Sequence, residues 1–496
     1  MEIRGSCPLQ PLRDVSVRTG GDILLNLRDF ISSIEGDGDQ NIVHVEAPVN
    51  PADFEVTAIL QHLENEGRSP MVVFHQPLNL HGEVSEFPLV TNVFADRERC
   101  AQALGLSRSE SKLPLSLEYA RREQGRVAPI VVSAAESPVK QVVKVGADAD
   151  LRQFPIVRHH HMDPAPYIDM APIMRDPDSG AYNIAYLRMM YKGPHKLGIH
   201  MSPRHNWQIT RKHEARNEPT PVVVVVSHHP AFFLGGLNVA PFGDDDYEVI
   251  GSIAQEPIRV VPSETWGDKF MVPADAEIVI EGEIPANVRE IEGPFGEFPG
   301  TYGPQRMRWI IDVKAITHRK GAIYQDVFVG HSDDRIQGGI PKEGRLFNRI
   351  KGVVPTVQAV HLPLSGCCRF HCYISIDKRV DGESKQAALI ALGEVDFIKH
   401  VVVVDSDIDP FNEQSVMWAV ATRVQADQDV DIIKNVKGNT LDPSQLDDIM
   451  TTKMIIDATR PVTRPFPERI QVPENVMDRM QLDDFISKGS VLPAEA

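Results

Sequence analysis

Cysteine is scarce in this chain: only Cys7, Cys100, Cys367, Cys368 and Cys372 occur in 496 residues. An odd, sparse set is no disulfide framework and points to a reducing, cytoplasmic setting. The cluster Cys367-Cys368-Arg369-Phe370-His371-Cys372 lacks C-x-x-C spacing and a second pair, which argues against a zinc site. No run of about 18 apolar residues exists, so a membrane-spanning helix is not expected. The opening MEIRGSCPLQPLRD has no apolar core of a secretory signal. Positive charge is also short, with 51 Lys plus Arg against 69 Asp plus Glu and a net charge of -18. That balance disfavours nucleic acid as a main partner, but one Arg in a pocket still suffices to hold a small anion. The glycine-rich strings G-x-G-x-x-G and G-x-x-x-x-G-K-[ST] are absent, which argues against a dinucleotide fold or a nucleotidase.

What is present is a soluble globular composition, 42% apolar and 24% charged, in a length that suggests about three domains. Residues 1–126 alternate strand-like runs (43–45, 70–74) with a helical stripe over 51–65, giving an N-terminal α/β domain. Residues 127–320 turn β-rich, with strands expected over 221–226, 276–284 and 307–315. Residues 321–460 return to α/β. There the continuous apolar strand 399–405, followed by a helix over 412–423, predicts a mainly parallel sheet covered on both faces. Residues 461–496 read as a tail with one short helix over 483–488. The fold class is mixed α/β.

Four strings carry chemistry-bearing side chains. Glu292-Gly293-Pro294-Phe295-Gly296-Glu297 places two acids on a Gly/Pro-rich loop, where separate environments hold one ionised and the other protonated. Asn183-Ile184-Ala185-Tyr186-Leu187-Arg188 spaces an amide and an Arg so that a regular strand would oppose them, and a bend is needed to bring both to one site. Arg204-His205 stands at the start of a helical segment. Asp244-Asp245-Asp246-Tyr247-Glu248 gathers carboxylates of the kind a hard cation needs. His159-His160-His161 with Asp163 is more readily a pocket-mouth loop than a metal cluster, and His228-His229 ends a buried strand.

Taken in order, these strings resemble the UbiD decarboxylase family over nearly the whole chain. Asn183, Arg188, His205 and the run Glu292 to Glu297 match its signature position by position, as does Ala276-Glu277-Ile278-Val279-Ile280-Glu281-Gly282 before it. Lys399, Trp418-Ala419, Thr422-Arg423, Lys453 and Asp457-Ala458-Thr459 resemble its C-terminal landmarks. One departure stands out: the family's third metal ligand is a Glu, whereas here the register with Gly251 puts Asp246 there and Glu248 two residues on. A carboxylate one methylene shorter falls about 1.5 Å short of the same point. In a strand-like stretch 246 and 248 share a face, so either could be the ligand.

The resemblance implies a central split-barrel-type domain that binds prenylated FMN through manganese and potassium. It implies Asn183, His205 and Asp246 as metal ligands. Asn183, Tyr186, Leu187, Arg188, Arg204, His205, Asp246 and Lys399 are the implied cofactor-binding residues. Arg188 would orient the substrate carboxylate with Glu292, and Glu297, raised by an apolar pocket, would protonate the carbon after carbon dioxide leaves. Implied partners are a small unsaturated, aromatic or heteroaromatic acid, carbon dioxide, a flavin prenyltransferase and further copies in a homodimer or homohexamer. The alternative is a flavin-binding subunit of a multi-subunit carboxylase that has lost catalysis.

Overall fold

The computed structural model describes residues 26–36, 41–445, 450–480 and 485. Cys7 and the expected helix over 483–488, apart from Phe485, lie outside these residues. Strand β1 (Ile42–Val45) is followed by a short turn whose end residue, Phe54, takes a left-handed conformation (φ 63°), and helix α1 begins at Glu55 (Glu55–Asn65). The expected helix over 51–65 is therefore broken at Phe54. Strands β2 (Met71–Phe74) and β3 (Leu89–Thr91) complete a small sheet beside β1, and helix α2 (Leu113–Arg122) follows.

The middle of the chain forms a closed six-stranded antiparallel barrel. Its strands are β4 (Tyr167–Arg175), β5 (Leu187–Gly193), β6 (Lys196–Ile199), β7 (Thr220–Ser227), β8 (Ile278–Ile284) and β9 (Arg306–His318). Pairing runs β4-β7-β8-β9-β6-β5 and back to β4. Helices α3 (His205–Ala215) and α4 (Asp246–Ala254) interrupt this order, α3 packing against β4 and β7. Val222 to Val226 in β7 are each no more than 1% exposed. A β-branched run buried on both sides contributes roughly 1.5–3 kcal/mol per side chain as an upper bound, and one charge inserted there would break the barrel wall.

Leaving the barrel, the chain adds β10 (Tyr324–Gln325) in parallel to β3, tying the barrel to the N-terminal sheet. Helix α5 (Ser332–Lys351) then leads to the last sheet. Gly344 of α5 lies so close to α2 that a Cβ would stand 1.9 Å from the Ser116 carbonyl oxygen, so only glycine permits this helix contact. The last sheet holds β11 (Val357–His361), β12 (His371–Ile376), β13 (His400–Asp405), β14 (Val430–Lys437) and β15 (Met450–Ala458), with α6 (Glu383–Glu394) and α7 (Glu413–Arg423) between. Its order is β11-β12-β13-β15-β14, parallel across the middle and antiparallel at both edges. The sheet is thus mixed, because polar alternation in β14 makes an edge strand where an all-parallel sheet would need an apolar run. Among the described residues, no helix is long and apolar enough to cross a membrane.

Candidate active site

The bend that Asn183 and Arg188 need is present. Asn183 sits in a short strand, Tyr182–Ile184, beside β4, and Arg188 is the second residue of β5, with Ala185 and Tyr186 between the strands. The guanidinium of Arg188 is nearly buried and donates to both oxygens of Glu292, Nε to Oε1 at 3.0 Å and Nη2 to Oε2 at 3.2 Å. Its remaining edge, Nη1, donates to Glu297 Oε1. The Phe295 ring lies under it, 4.8 Å from Cζ to ring centroid. A planar fork paired with carboxylates and stacked on a ring is fixed in direction, which a flexible ammonium could not reproduce.

The two acids reach Arg188 along one segment. Glu292 is not on a loop, as expected, but ends a short strand, Glu290–Glu292, opposite Arg306 of β9. Gly293 then turns the chain at φ +83°, a conformation that L side chains rarely adopt. Phe295-Gly296 pairs with Tyr302-Gly303, bringing Glu297 back toward Glu292. A Cβ at Gly303 would stand 2.7 Å from Glu297 Oε1, so this glycine makes room for the carboxylate. Burial opposes ionisation of Glu292, but His200 and Arg188 beside it hold its pKa below the usual range. The apolar pocket expected around Glu297 is not what surrounds it, since its nearest partner is the Arg188 guanidinium.

Three further residues, which no motif singled out, complete this cluster. His200 Nδ1 accepts from Arg188 Nη2 (3.1 Å) and from Arg308 Nε (3.0 Å). Its proton therefore resides on Nε2, and burial with two neighbouring cations drives the imidazole pKa down. Tyr167 packs on Phe295 (centroids 4.6 Å), and its buried hydroxyl has no hydrogen-bond partner among the described residues. Only the alternation along β9 could have pointed to Arg308 from sequence, while Tyr167 opens β4 and His200 directly follows β6, with no local motif around either.

A second group gathers around Asn183, five residues before Arg188 in the chain. His205, the first residue of α3, donates from Nδ1 to Asn183 Oδ1 at 3.0 Å. Asp246 is 5% exposed and accepts from the Ile184 backbone N–H (2.6 Å) and from Asn238 Nδ2 (3.0 Å). Burial raises its carboxyl to about 7. The stretch 246–251 is not strand-like: it is the start of α4, because Asp245 caps a helix by accepting from the Tyr247 N–H. At about 100° per residue, Glu248 projects roughly 200° around the helix from Asp246, so the two do not share a face. Glu248 is part-exposed and its carbonyl bonds the Val127 N–H.

Arg204, the N-cap of α3, is exposed beside His205, and Leu187 opens β5. Tyr186 packs on Phe233, its hydroxyl buried without a partner among the described residues. Lys399 is not brought into either group. It precedes β13 in the last sheet, with Nζ bound to Asp442 at 2.8 Å and to Ser444 Oγ at 2.5 Å. His159 is enclosed between Asp169 (3.2 Å) and Asp326 (2.9 Å), both buried. With His160 and His161 it lines a cleft of about 310 Å³ behind the acid segment. Among the described residues no group of three His, Cys, Asp or Glu side chains is arranged to hold a metal ion. His228 is buried and His229 caps the helix beginning at Pro230.

Comparison with known proteins matches three family models, those of the 3-octaprenyl-4-hydroxybenzoate carboxy-lyase N-terminal domain over residues 37–112, Rift-related domain over 130–332 and C-terminal domain over 335–458. The anhydromevalonate phosphate decarboxylase of Methanothermobacter thermautotrophicus is 36% identical over 365 residues, covering 72% of this chain and 85% of that one. The phenolic acid decarboxylase of Sedimentibacter hydroxybenzoicus is 32% identical over 464 residues, covering 90% and 94%. The solved structure of the UbiD-class enzyme HmfF from Pelotomaculum thermopropionicum in complex with FMN superposes with a TM-score of 0.85 at 37% identity, covering 93% of this chain and 100% of that one.

Proposed function

The chain belongs to the UbiD family of carboxy-lyases, and from that premise we propose that it decarboxylates an α,β-unsaturated, aromatic or heteroaromatic acid with prenylated FMN bound. The observation that carries this reading is the single guanidinium of Arg188 shared between Glu292 and Glu297. Losing carbon dioxide from an sp² carbon leaves an unstabilised electron pair, and the prenylated flavin supplies the sink that no side chain provides. Arg188, aimed by Glu292 and His200, presents its Nη1 edge to the substrate carboxylate. That carboxylate displaces Glu297 from the same edge. The freed Glu297, whose side chain is 14% exposed, takes up a proton from solvent and delivers it to the carbon that lost carbon dioxide, and accepts one from that carbon in the reverse reaction.

The residues at the second group fit a divalent cation of the manganese type. Amide oxygen, imidazole and carboxylate are hard to borderline donors, and the buried Asp246 carboxyl, raised by burial, is what a cation would relieve. Asn183, His205 and Asp246 would hold it, and Arg204, Tyr186 and Leu187 would contribute to binding the flavin, which supplies the electron sink when bound. Potassium, supply of the cofactor by a flavin prenyltransferase, and assembly as a homodimer or homohexamer belong to the same reading. The test is co-expression with a flavin prenyltransferase and a screen of cinnamate-like, hydroxybenzoate-like and heteroaromatic acids. Decarboxylation in at least one class is expected, and flavin-loaded protein inert toward all of them overturns the reading.

A further inference from the structure

On the far side of Phe298, the residue that follows Glu297, the cations Arg335, Arg369 and Lys342 outnumber the carboxylates near them, Asp334 and Glu64. The Arg369 guanidinium lies over the Phe298 ring, 4.4 Å from Cζ to centroid, and Arg335 Nε donates to the Phe298 carbonyl at 3.1 Å. Arg335, Gly338 and Lys342 follow one another along one face of α5, at i, i+3 and i+7. Gly338 is required there, because a Cβ would stand 2.0 Å from Arg369 Nη2, so the helix gives up a side chain to let the guanidinium lie against it. Lys342 donates to the Gly338 carbonyl. Burial, with Arg369 and Arg204 as charged neighbours, pushes its ammonium down to about 7. The acidic counterweight is slight: Asp334 stands 3.9 Å from Arg369. Among the described residues neither Lys342 nor Arg204 forms an ion pair.

Like charges gathered in a partly dry place repel, and a chain with 69 acidic residues had ample means to neutralise them. Phe298 directly follows Glu297 and carries Arg369 on its ring, which sets this cationic wall next to the segment that meets Arg188. We propose that the substrate carries a second anionic group, a carboxylate or a phosphate, and that Arg369 and Lys342 bind it. Resting on the function proposed above, this deepens it by naming the substrate class. Arg369 supplies the planar fork that reads such an oxyanion, and Lys342 recovers its full charge when the anion arrives.

The test uses the full chain in two forms, co-expressed with a flavin prenyltransferase or loaded with FMN. Cinnamate is compared with 4-carboxycinnamate and 4-phosphonooxycinnamate, in turnover with the first form and in calorimetric binding with the second. Wild type should favour one or both dianionic acids over cinnamate by about tenfold or more in kcat/KM and in Kd, and the better of the two tells carboxylate from phosphate. Arg369→Gln and Lys342→Met should each remove most of that preference while cinnamate stays within about twofold. FMN affinity should not change. Equal treatment of mono- and dianionic acids by wild type overturns the proposal, as does a parallel loss on all three acids in both variants. Weaker FMN binding in the variants also overturns it, by assigning the cations to the flavin phosphate. Protein that turns over none of the three leaves the decarboxylase reading to the wider screen above, while the binding arm alone still decides whether the distal anion is recognised.

Discussion

Two buried glutamates, Glu292 and Glu343, each meet an Arg and a His, yet their surroundings differ in kind. Glu343 of α5 is fully buried and accepts from Arg97 Nη2 (2.9 Å), Ser116 Oγ (2.6 Å), His361 Nδ1 (2.8 Å) and the Leu362 N–H (3.0 Å). These partners come from the N-terminal region, α2 and the first strand of the last sheet, and Arg97 spends its other N–H groups on Ser111 and Lys112 carbonyls. Every polar group is answered within the cluster. Glu292 is equally buried and its partners are about as exposed as those of Glu343, but its Arg188 is divided among two carboxylates, Glu292 and Glu297, and His200. A closed network joins elements, whereas an open one with exchangeable contacts leaves a place for a ligand.

The largest effect is expected on the closed side. Glu343→Ala leaves the part-buried Arg97 and the buried Ser116 hydroxyl and Leu362 N–H without their acceptor and should cost about 3 kcal/mol. Chemical denaturation followed by circular dichroism measures it, and a change under about 1 kcal/mol would show that the network is not structural. Its pH dependence has a definite sign. Burial opposes the charge on Glu343, but Arg97 and His361 hold its pKa far below the usual 4.5. A depressed carboxyl contributes stability that is present above that value and lost as pH falls below it. Wild type should therefore lose more stability than Glu343→Ala between pH 5 and pH 3, and equal slopes would contradict the assignment.

On the open side the loss should fall on turnover. Glu297→Gln keeps shape and an acceptor for Arg188 but has no carboxyl proton to give, so kcat should drop at least about 100-fold while the melting temperature barely moves. A variant within a few-fold of wild type would remove Glu297 as the proton donor. Arg188→Lys should cost about tenfold or more in kcat/KM, because an ammonium cannot serve Glu292 and a substrate carboxylate with one rigid fork. Full activity there would mean that charge alone suffices.

Much of this was legible in the sequence where local rules decide. The β7 valines, the 276–284 strand and the Gly/Pro density after Glu292 fix strand and turn without distant help, and the spacing of Asn183 and Arg188 demanded the break that lies at Ala185 and Tyr186. Distant contacts were not legible. Nothing near Glu297 in sequence announces that Arg188 reaches it, so an apolar pocket was the natural expectation. Arg308 and Tyr167 lie in separate strands and His200 just after a third, and only barrel closure brings them together. The 246–251 stretch was misread because the cap at Asp245, not the apolar pattern, decides that it is helical. Lys399 was expected at the cofactor from the family resemblance alone, and its ammonium meets Asp442 at 2.8 Å.

The smallest effect, and the sharpest test of where the open site ends, concerns Asp246 and Glu248. If openness marks function, the buried Asp246 beside Asn183 and His205 should matter for ligands, and Glu248, turned away on α4 and part-exposed, should not. Asp246→Ala removes a carboxylate that bonds the Ile184 N–H, so the short strand carrying Asn183 loses a tether as well as a donor. Metal measured by mass spectrometry and flavin retained after gel filtration should both fall. Asp246→Asn separates the two causes, because an amide oxygen still accepts from Ile184 but carries no charge: folding stays intact while metal content drops. Glu248→Ala should leave metal, flavin and stability within about 0.5 kcal/mol of wild type, as exposed substitutions usually do. Full manganese in Asp246→Asn with loss in Glu248→Ala would reverse the assignment, and with it the claim that a 200° turn of helix separates ligand from bystander.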